Sequence, residues 1–304
     1  MFKEEVKTVH FFHAGSFGIL PLFIAVIALV SLNSAFAETG TQARTNLVSF
    51  VQKAAALIEK DGEAAFPQVR KRNGKWFLGD HYVFVWGLDG MRYVYPPDPS
   101  GEGKNMLHLK DVNGKPIGEW IVNIANSPGG RGWIHYQWLR PGEIFPAWKT
   151  TFVQYTVAPS GKAYIVGSGL YDMPLERTFI VGLVNDAARL LSQQGQAGFS
   201  RLKDKADEFI FMDTYVFVLS IDGTEMVNPA FPGLEGRNLL DHKDSAGKLL
   251  VREMIDKTQS DRSAWVEYYW ARPGSADQVR KLAYIRRVQV DGEEMIVGAG
   301  LYEP

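Results

Sequence analysis

Residues 82–115 read YVFVWGLDGMRYVYPPDPSGEGKNMLHLKDVNGK, and residues 215–248 read YVFVLSIDGTEMVNPAFPGLEGRNLLDHKDSAGK. The two stretches align without a gap at an offset of 133 residues, and 17 of the 34 aligned positions are identical. A repeat of this length exceeds the units of about 20–50 residues that build solenoids, and it has the size of a whole domain. The sequence therefore predicts a duplicated domain.

The similarity continues on both sides of the aligned stretch. Upstream, Gly62 and Gly195 keep the same offset, and downstream the pattern Trp-x-x-Tyr-x-Trp recurs at Trp133 and Trp265. We place the boundary between the copies at Met173-Pro174. The predicted organisation is a leader at residues 1–37, a first domain at residues 38–173 and a second domain at residues 174–304.

Each copy begins with a helical pattern and continues with strands. In residues 41–60 apolar side chains recur every three or four positions, and residues 175–194 repeat this spacing. The remainder of each copy predicts two strands joined at Asp-Gly, a short helix and three closing strands. This order predicts an α+β fold, in which a long N-terminal helix packs on an antiparallel sheet of about five strands.

The first 37 residues have the pattern of a secretory signal peptide. Lys3 and Lys7 precede an uncharged apolar run at residues 17–32, and the small-residue site Ala35-Phe36-Ala37 follows it. Cleavage near Ala37 predicts a periplasmic or secreted protein, and a retained N-terminal anchor is the alternative. No second apolar run of membrane length occurs later in the sequence.

Composition excludes several classes of function. The chain has no cysteine, which rules out thiolate catalysis and zinc or iron–sulfur sites that depend on cysteine. The formal net charge is −1, so the sequence lacks the excess of basic residues that nucleic-acid binding requires. We therefore predict no nucleic-acid partner.

The motifs of the second copy resemble those of an extracytoplasmic Cache domain of the single-Cache class. In order they are Tyr-Val-Phe-Val, Asp-Gly, Asn-Pro, Gly-Arg-Asn-Leu-Leu, Lys-Asp-x-x-Gly-Lys, Trp-Val-x-Tyr-x-Trp, Lys281-x-x-Tyr284 and Ile-Val-Gly-x-Gly-x-Tyr. The first copy contains nearly the same series, so the resemblance covers nearly all of residues 41–304. It implies tandem PAS-like sensor domains that bind small molecules, often small carboxylates, outside the membrane.

Typical members of that family belong to receptors with a kinase, cyclase or chemotaxis output module, and we expect no such module in this sequence. Each copy has its own N-terminal helix, which favours two tandem single-Cache domains. We predict a sensor for a small organic anion that passes its signal to a separate membrane receptor, kinase or transporter. The alternative is a docking protein whose Cache folds no longer bind a ligand.

Aromatic and cationic side chains near the closing strands are the candidates for ligand contact. They are Tyr136, Trp138, Lys149 and Tyr171 in copy one, and Tyr268, Trp270, Lys281 and Tyr302 in copy two. The rings suit an apolar pocket wall, and they suit core packing equally well. The lysines offer charge-assisted hydrogen bonds to a carboxylate, unless they lie in solvent.

The two copies differ in their basic residues. Copy two has Arg286 and Arg287 where copy one has Tyr155 and Thr156, which favours copy two as the anion pocket. The sequence contains no HExxH pattern, no Gly-x-Ser-x-Gly elbow and no phosphate-binding glycine loop. We therefore predict no catalytic residue, no metal and no cofactor.

Overall fold

The computed structural model of this chain describes the backbone of residues 21–303 and the side chains of residues 40–303. Residues 40–303 belong to one compact unit. The predicted signal peptide lies outside the residues whose side chains are described, so its cleavage stays a prediction. Within the described part of the chain, no helix has both the length and the apolar character that a membrane span requires.

The first domain contains a long helix, a small hairpin and a five-stranded sheet. Its helices are α1 (Pro21–Asp61, of which residues 40–61 belong to this domain), α2 (Phe66–Arg70) and α3 (Ile117–Asn126). Its strands are β1 (Phe77–Leu78), β2 (His81–Tyr82), β3 (Phe84–Gly87), β4 (Arg92–Val94), β5 (Arg131–Leu139), β6 (Pro146–Val157) and β7 (Ala163–Tyr171). Strands β1 and β2 form the hairpin, and the antiparallel sheet has the order β4-β3-β7-β6-β5.

The second domain repeats this architecture. Its helices are α4 (Arg177–Gln194), α5 (Phe199–Lys203) and α6 (Leu250–Asp261). Its strands are β8 (Ile210–Phe211), β9 (Thr214–Tyr215), β10 (Phe217–Ser220), β11 (Glu225–Val227), β12 (Ser263–Ala271), β13 (Gln278–Val290) and β14 (Glu293–Tyr302). The antiparallel sheet has the order β11-β10-β14-β13-β12, so strand for strand the two domains have the same topology.

The apolar stripe of α1 packs on one face of the first sheet. Val51, Ala54 and Ile58 are fully buried and share a core with Val83 and Val166 of the sheet. Burial of Val51 and Ile58 stabilises the fold by about 1.5–3 kcal/mol each, so the helical spacing of the sequence determines which face of α1 meets the sheet.

Helix α4 packs in the same way in the second domain. Ile180, Val184 and Ala187 are fully buried and share a core with Val218 and Val297. The predicted α+β fold, with one long helix on an antiparallel sheet of five strands in each copy, is confirmed. The sequence patterns missed the two-residue hairpins β1–β2 and β8–β9, because such short strands show no alternation.

An aromatic cluster joins the two domains. His135 of β5 has its ring centroid 4.8 Å from that of Phe179 and 4.7 Å from that of Phe211. The ring centroid of Trp148 in β6 lies 4.8 Å from that of Phe211. The hairpin of the second domain therefore packs on β5 and β6 of the first sheet, on the face that also contacts α1.

Candidate functional site

Each sheet has its long helix on one face and a cavity between its other face and the short helix. In the first domain the free volume of this cavity is about 20 Å³, which is room for about one water molecule. Its lining residues are Tyr82, Phe84, Trp86, Arg92, Tyr95, Leu109, Ile117, Ile121, Tyr136 and Trp138. The walls are mostly apolar and aromatic, which suits a small molecule with few polar groups.

A glycine of the closing strand helps to shape this cavity. Gly167 of β7 pairs with Phe84 of β3, and a Cβ atom at Gly167 would lie 2.3 Å from Cζ of Phe84. Real Cβ atoms do not approach so closely, so only glycine lets the Phe84 ring lie across the strand. Gly298 and Phe217 repeat the same distance in the second domain. The Ile-Val-Gly motif therefore positions one ring of each cavity wall.

Three predicted residues of each copy form one row across the sheet. In the first domain Tyr136 pairs with Lys149, and Lys149 pairs with Tyr171. Directly paired residues point to the same face, so the row lies on the cavity side. The equivalent row of the second domain consists of Tyr268, Lys281 and Tyr302.

Lys149 is fully buried behind the cavity wall. Its Nζ donates hydrogen bonds to the hydroxyl oxygens of Tyr82, at 2.7 Å, and Tyr171, at 3.3 Å. Burial holds the pKa of Lys149 well below its usual range. Tyr82 lines the cavity and Lys149 does not, so Lys149 acts on the cavity by polarising and fixing the Tyr82 hydroxyl.

Lys281 is equally buried and has fewer polar contacts. Its Nζ lies 4.1 Å from the ring centroid of Tyr215 and 4.8 Å from that of Tyr302. Within the described part of the chain this ammonium group donates no hydrogen bond. Burial lowers the pKa of Lys281 to about 7. Like Lys149, it lies behind a tyrosine that lines the cavity.

The predicted Tyr–Trp pairs serve in both core and cavity wall. Tyr136 is buried, and its hydroxyl lies 3.0 Å from Oγ1 of Thr151. Trp138 Nε1 donates to the Tyr95 hydroxyl over 2.9 Å. In the second domain the equivalent cavity-lining residues are Tyr268 and Trp270. Core packing and pocket lining are thus not alternatives for these rings.

The closing-strand tyrosines have another role. The hydroxyl of Tyr171 donates to the Leu139 carbonyl over 2.8 Å, and that of Tyr302 donates to the Ala271 carbonyl over 2.7 Å. Neither tyrosine is among the cavity-lining residues. They tie the ends of their sheets together and contact the buried lysines from behind.

Arg92 of β4 is a lining residue that the sequence analysis missed. It is 6% exposed, and its guanidinium stacks over the Tyr95 ring at 4.3 Å from the centroid. Among the described residues the guanidinium has no ion-pair or hydrogen-bond partner, and Nε is fully enclosed without one. An arginine keeps its charge even when burial lowers its pKa, as here, so this cavity presents an unpaired cation.

The second cavity has an acid at the equivalent position. Its free volume is also about 20 Å³, and its lining residues are Tyr215, Phe217, Leu219, Glu225, Asn228, Leu239, Leu250, Val251, Met254, Tyr268 and Trp270. Glu225 is 3% exposed, and its Oε1 accepts a hydrogen bond from Asn228 Nδ2 over 3.1 Å. Burial raises the pKa of Glu225 to about 8.

The repeat itself contains the signal that identifies these two residues. Arg92 and Glu225 occupy equivalent positions in the gap-free alignment, and they reverse the charge within an otherwise similar stretch. Arg286 and Arg287, which favoured copy two as the anion pocket in the sequence, bind other groups of the protein. Arg286 donates to Asn185 over 2.6 Å and Arg287 donates to Glu294 over 2.9 Å, outside both cavities.

The described residues contain no group of three or more histidine and carboxylate side chains arranged to bind a metal ion. The polar groups of the two cavities are the unpaired guanidinium of Arg92, the carboxyl group of Glu225, which burial keeps protonated at neutral pH, the amide of Asn228, tyrosine hydroxyls and the buried lysines behind them. Such groups hold charged and hydrogen-bonding parts of a small ligand.

Comparison with known proteins identifies the domains. The single Cache domain 2 family matches residues 45–174, and a second Cache domain family matches residues 200–303. Among curated proteins, a methyl-accepting chemotaxis protein, McpP of Pseudomonas putida, is 28% identical over 90 residues. A sensor histidine kinase, MctS of Rhizobium johnstonii, is 31% identical over the same length.

Each of these alignments covers 30% of this chain and less than a fifth of the relative, 16% of McpP and 19% of MctS. A solved Cache chemosensory domain, described with the structural basis of its carboxylic acid recognition, is 26% identical. It aligns with 48% of this chain and 97% of its own length, with a TM-score of 0.32. The two family matches follow one another and together take up most of the sequence, so the chain belongs to the Cache family of sensor domains and contains two Cache domains in tandem.

Proposed function

We propose that this chain is a periplasmic sensor whose first Cache domain binds a small carboxylate. The observation that carries the proposal is Arg92, a cation buried in the cavity wall without an anionic partner among the described residues. Burying an unpaired charge is costly, and the cost is offset when an anion binds beside it. A carboxylate accepts two hydrogen bonds from a guanidinium in the geometry that suits both groups.

The remainder of the cavity limits the size and polarity of this ligand. Phe84, Trp86, Ile117 and Ile121 form an apolar wall. Because the cavity has room for about one water molecule, these side chains must move apart to admit even a small ligand. The Tyr82 hydroxyl, held by Lys149, lies on the same wall as a second polar contact. A monocarboxylate with a short apolar chain fits this combination.

The proposal also includes the cellular location of the protein and the kind of partner that receives its signal. The signal-peptide pattern at residues 1–37 directs the domains to the periplasm. A ligand that binds one conformation of the domain more tightly shifts the population toward that conformation. A membrane receptor, kinase or transporter that contacts this conformation then receives the signal. Relatives named as a chemotaxis protein and a sensor kinase support this kind of partner.

The test is calorimetric titration of the full chain with acetate, propionate and butyrate, together with thermal unfolding. A ligand at a hundredfold excess over its dissociation constant stabilises the native state by about 2.7 kcal/mol. Arg92→Met should weaken binding at least about 30-fold, because loss of a buried charge partner costs about 2–5 kcal/mol.

Arg131→Met is the matched control, since it removes an exposed guanidinium from the same domain. It should leave carboxylate affinity unchanged. Equal affinity in Arg92→Met and the parent would contradict the assignment of the site to Arg92. Failure of all three carboxylates to bind the parent would favour the docking alternative.

A further inference from the structure

Two equivalent lysines of the repeat have partners in different domains. Lys115 and Lys248 occupy the same position of the gap-free alignment, and each lies two residues before the short helix of its copy. The Nζ of Lys248 donates to the Glu267 carbonyl of its own sheet and pairs with Glu253 over 2.6 Å. The Nζ of Lys115 donates instead to the Asp207 carbonyl of the second domain. The first copy therefore uses this lysine to join the two domains.

Lys115 is enclosed at the junction of the two domains. It is 1% exposed, and its Nζ lies 5.4 Å from the ring centroid of Trp120 in α3. Beside it, a Cβ atom at Gly114 would lie 3.5 Å from Cβ of Ala206, so the two domains are in van der Waals contact there. A buried ammonium group needs acceptors, and among the described residues Nζ donates to the Asp207 carbonyl alone. This contact therefore holds the start of α3 against the second domain.

The same segment of chain forms part of the wall of the first cavity. Asp111 accepts hydrogen bonds from the backbone N–H groups of Lys115 and Gln137, each over 2.9 Å. The N–H of Ile117 donates to the Lys115 carbonyl over 2.9 Å, and the Ile117 side chain lines the cavity. Ile121 lines it one turn later. A shift of α3 away from the cavity is therefore passed directly to Lys115.

The first cavity is closed in this conformation. Its free volume is about 20 Å³, so Ile117 and Ile121 must move away from the sheet before a carboxylate enters. Because Lys115 is only two residues from Ile117, the same movement draws its Nζ away from the Asp207 carbonyl. A ligand that binds the open conformation competes with every contact that stabilises the closed one.

On the other side of the contact, Asp207 leads into the hairpin of the second domain. Arg201 of α5 holds the Asp207 carboxylate, with Nε at 2.7 Å from Oδ2 and Nη2 at 3.1 Å from Oδ1. Three residues after Asp207, Ile210 begins β8 and pairs with Tyr215 of β9. Tyr215 lines the second cavity. The contact at Asp207 therefore connects a wall of the first cavity to a wall of the second.

We propose that the contact of Lys115 with Asp207 holds the first cavity closed, and that a carboxylate entering this cavity releases Lys115 and loosens the β8–β9 hairpin of the second domain. The inference rests on the proposed carboxylate site and adds how occupancy of that site reaches the second domain. Lys115 is a positioning residue, since it does not line the cavity. By linkage, any change that weakens the contact favours ligand binding, and ligand binding weakens the contact to the same degree.

The first measurement is the affinity of the full chain for propionate, by calorimetry. Lys115→Met removes the donor and keeps an unbranched side chain, so propionate should bind about tenfold more tightly, the effect of one hydrogen bond from a charged group. Arg201→Met loosens Asp207 from within the second domain and should also tighten binding, even if Lys115→Met does not fold. Lys248→Met is the matched control and should leave the affinity unchanged. Equal or weaker binding in Lys115→Met and Arg201→Met would overturn the inference.

The second measurement is hydrogen exchange at Val216, whose N–H donates to the Phe209 carbonyl over 3.2 Å and extends the β8–β9 hairpin. Propionate should speed this exchange severalfold in the parent. In Lys115→Met the exchange should be fast with and without propionate, because the contact is already absent. In Lys248→Met it should respond to propionate as in the parent.

The two measurements separate this inference from the proposed carboxylate site. If propionate binds the parent and exchange at Val216 does not change, the carboxylate site stands and the link through Lys115 is overturned. If propionate does not bind the parent, the carboxylate site fails and the ligand-free variant decides. Faster exchange at Val216 in Lys115→Met would then support the contact as the link between the domains, and unchanged exchange would overturn it.

Discussion

The two Cache domains have the same strand order and the same helix packing, yet their cavities differ in charge. The first has Arg92, with Gly101 next to its guanidinium, and the second has Glu225, with Leu234 at the position equivalent to Gly101. Both charged residues lie in an edge strand, β4 or β11. An edge strand has a neighbour on one side only, so its side chains can change without disturbing the central strands.

This difference shows which parts of the repeat serve the fold and which serve selectivity. The buried lysines and the tyrosines paired with them are retained in both copies, since they hold three strands together. The side chain at the cavity wall is free to change from a base, Arg92, to an acid, Glu225. The comparison therefore predicts that equivalent core substitutions destabilise the two domains by similar amounts, whereas the two domains bind different ligands.

The largest expected effect tests whether the long helices are equivalent. Ala55 of α1 and Ala188 of α4 are both buried against their sheets. Ala55→Asp and Ala188→Asp each place an unpaired charge in an apolar core and should destabilise their domains by about 3–5 kcal/mol. Urea unfolding measures this, with Ser192→Asp on the exposed side of α4 as the control. An unfolding midpoint equal to that of the parent would contradict the packing of that helix.

The next largest effect is a pH dependence of stability that comes from Glu225 of the second domain. The pKa of Glu225 is about 8 in the folded chain, against an ordinary value of 4.5, so between pH 5 and 7 the folded state binds the extra proton. Stability from this group therefore falls as pH rises, by at most about 1.4 kcal/mol per pH unit. Lys281, with a pKa of about 7, acts in the opposite sense only above that pH.

Urea unfolding of the parent and of Glu225→Gln at pH 5, 6 and 7 measures this slope. The parent should lose stability relative to the variant as pH rises through that window. Glu293→Gln, an exposed acid of the same domain, is the control and should follow the parent. Parallel profiles for the parent and Glu225→Gln would show that Glu225 is ionised throughout.

The smallest effect sharpens the comparison at Gly101. Gly101→Ala brings a Cβ atom against the end of the flexible Arg92 side chain, which can move aside. We expect little change in stability and about tenfold weaker carboxylate binding, equivalent to about 1.4 kcal/mol. Gly233→Ala is the control in the second domain, because a Cβ atom there has open space. Unchanged carboxylate affinity in Gly101→Ala would mean that the position of the guanidinium is unimportant.

The sequence alone determined the duplication, the fold class and four residues of the cavity walls, Tyr136, Trp138, Tyr268 and Trp270. The constant offset of the repeat revealed two domains, and the helical spacing of residues such as Val51 and Ala54 placed the long helix on the sheet. Alternation along β5 placed Tyr136 and Trp138 on one face, which the structure shows to be the cavity side. Local periodicity carries this information because neighbouring residues of one element share its geometry.

Only the tertiary structure decided which charged residues reach the cavities. Lys149 and Lys281 lie behind tyrosines, whereas Arg92 and Glu225 lie in the wall. Residues 92 and 149 are far apart in sequence, and only the strand order of the sheet, with β3 and β7 between their strands, sets where each lies relative to the cavity. Burial, and with it the pKa of each group, depends on this distant packing. The sequence gives the identity of each side chain, and the fold sets its surroundings and therefore its protonation state.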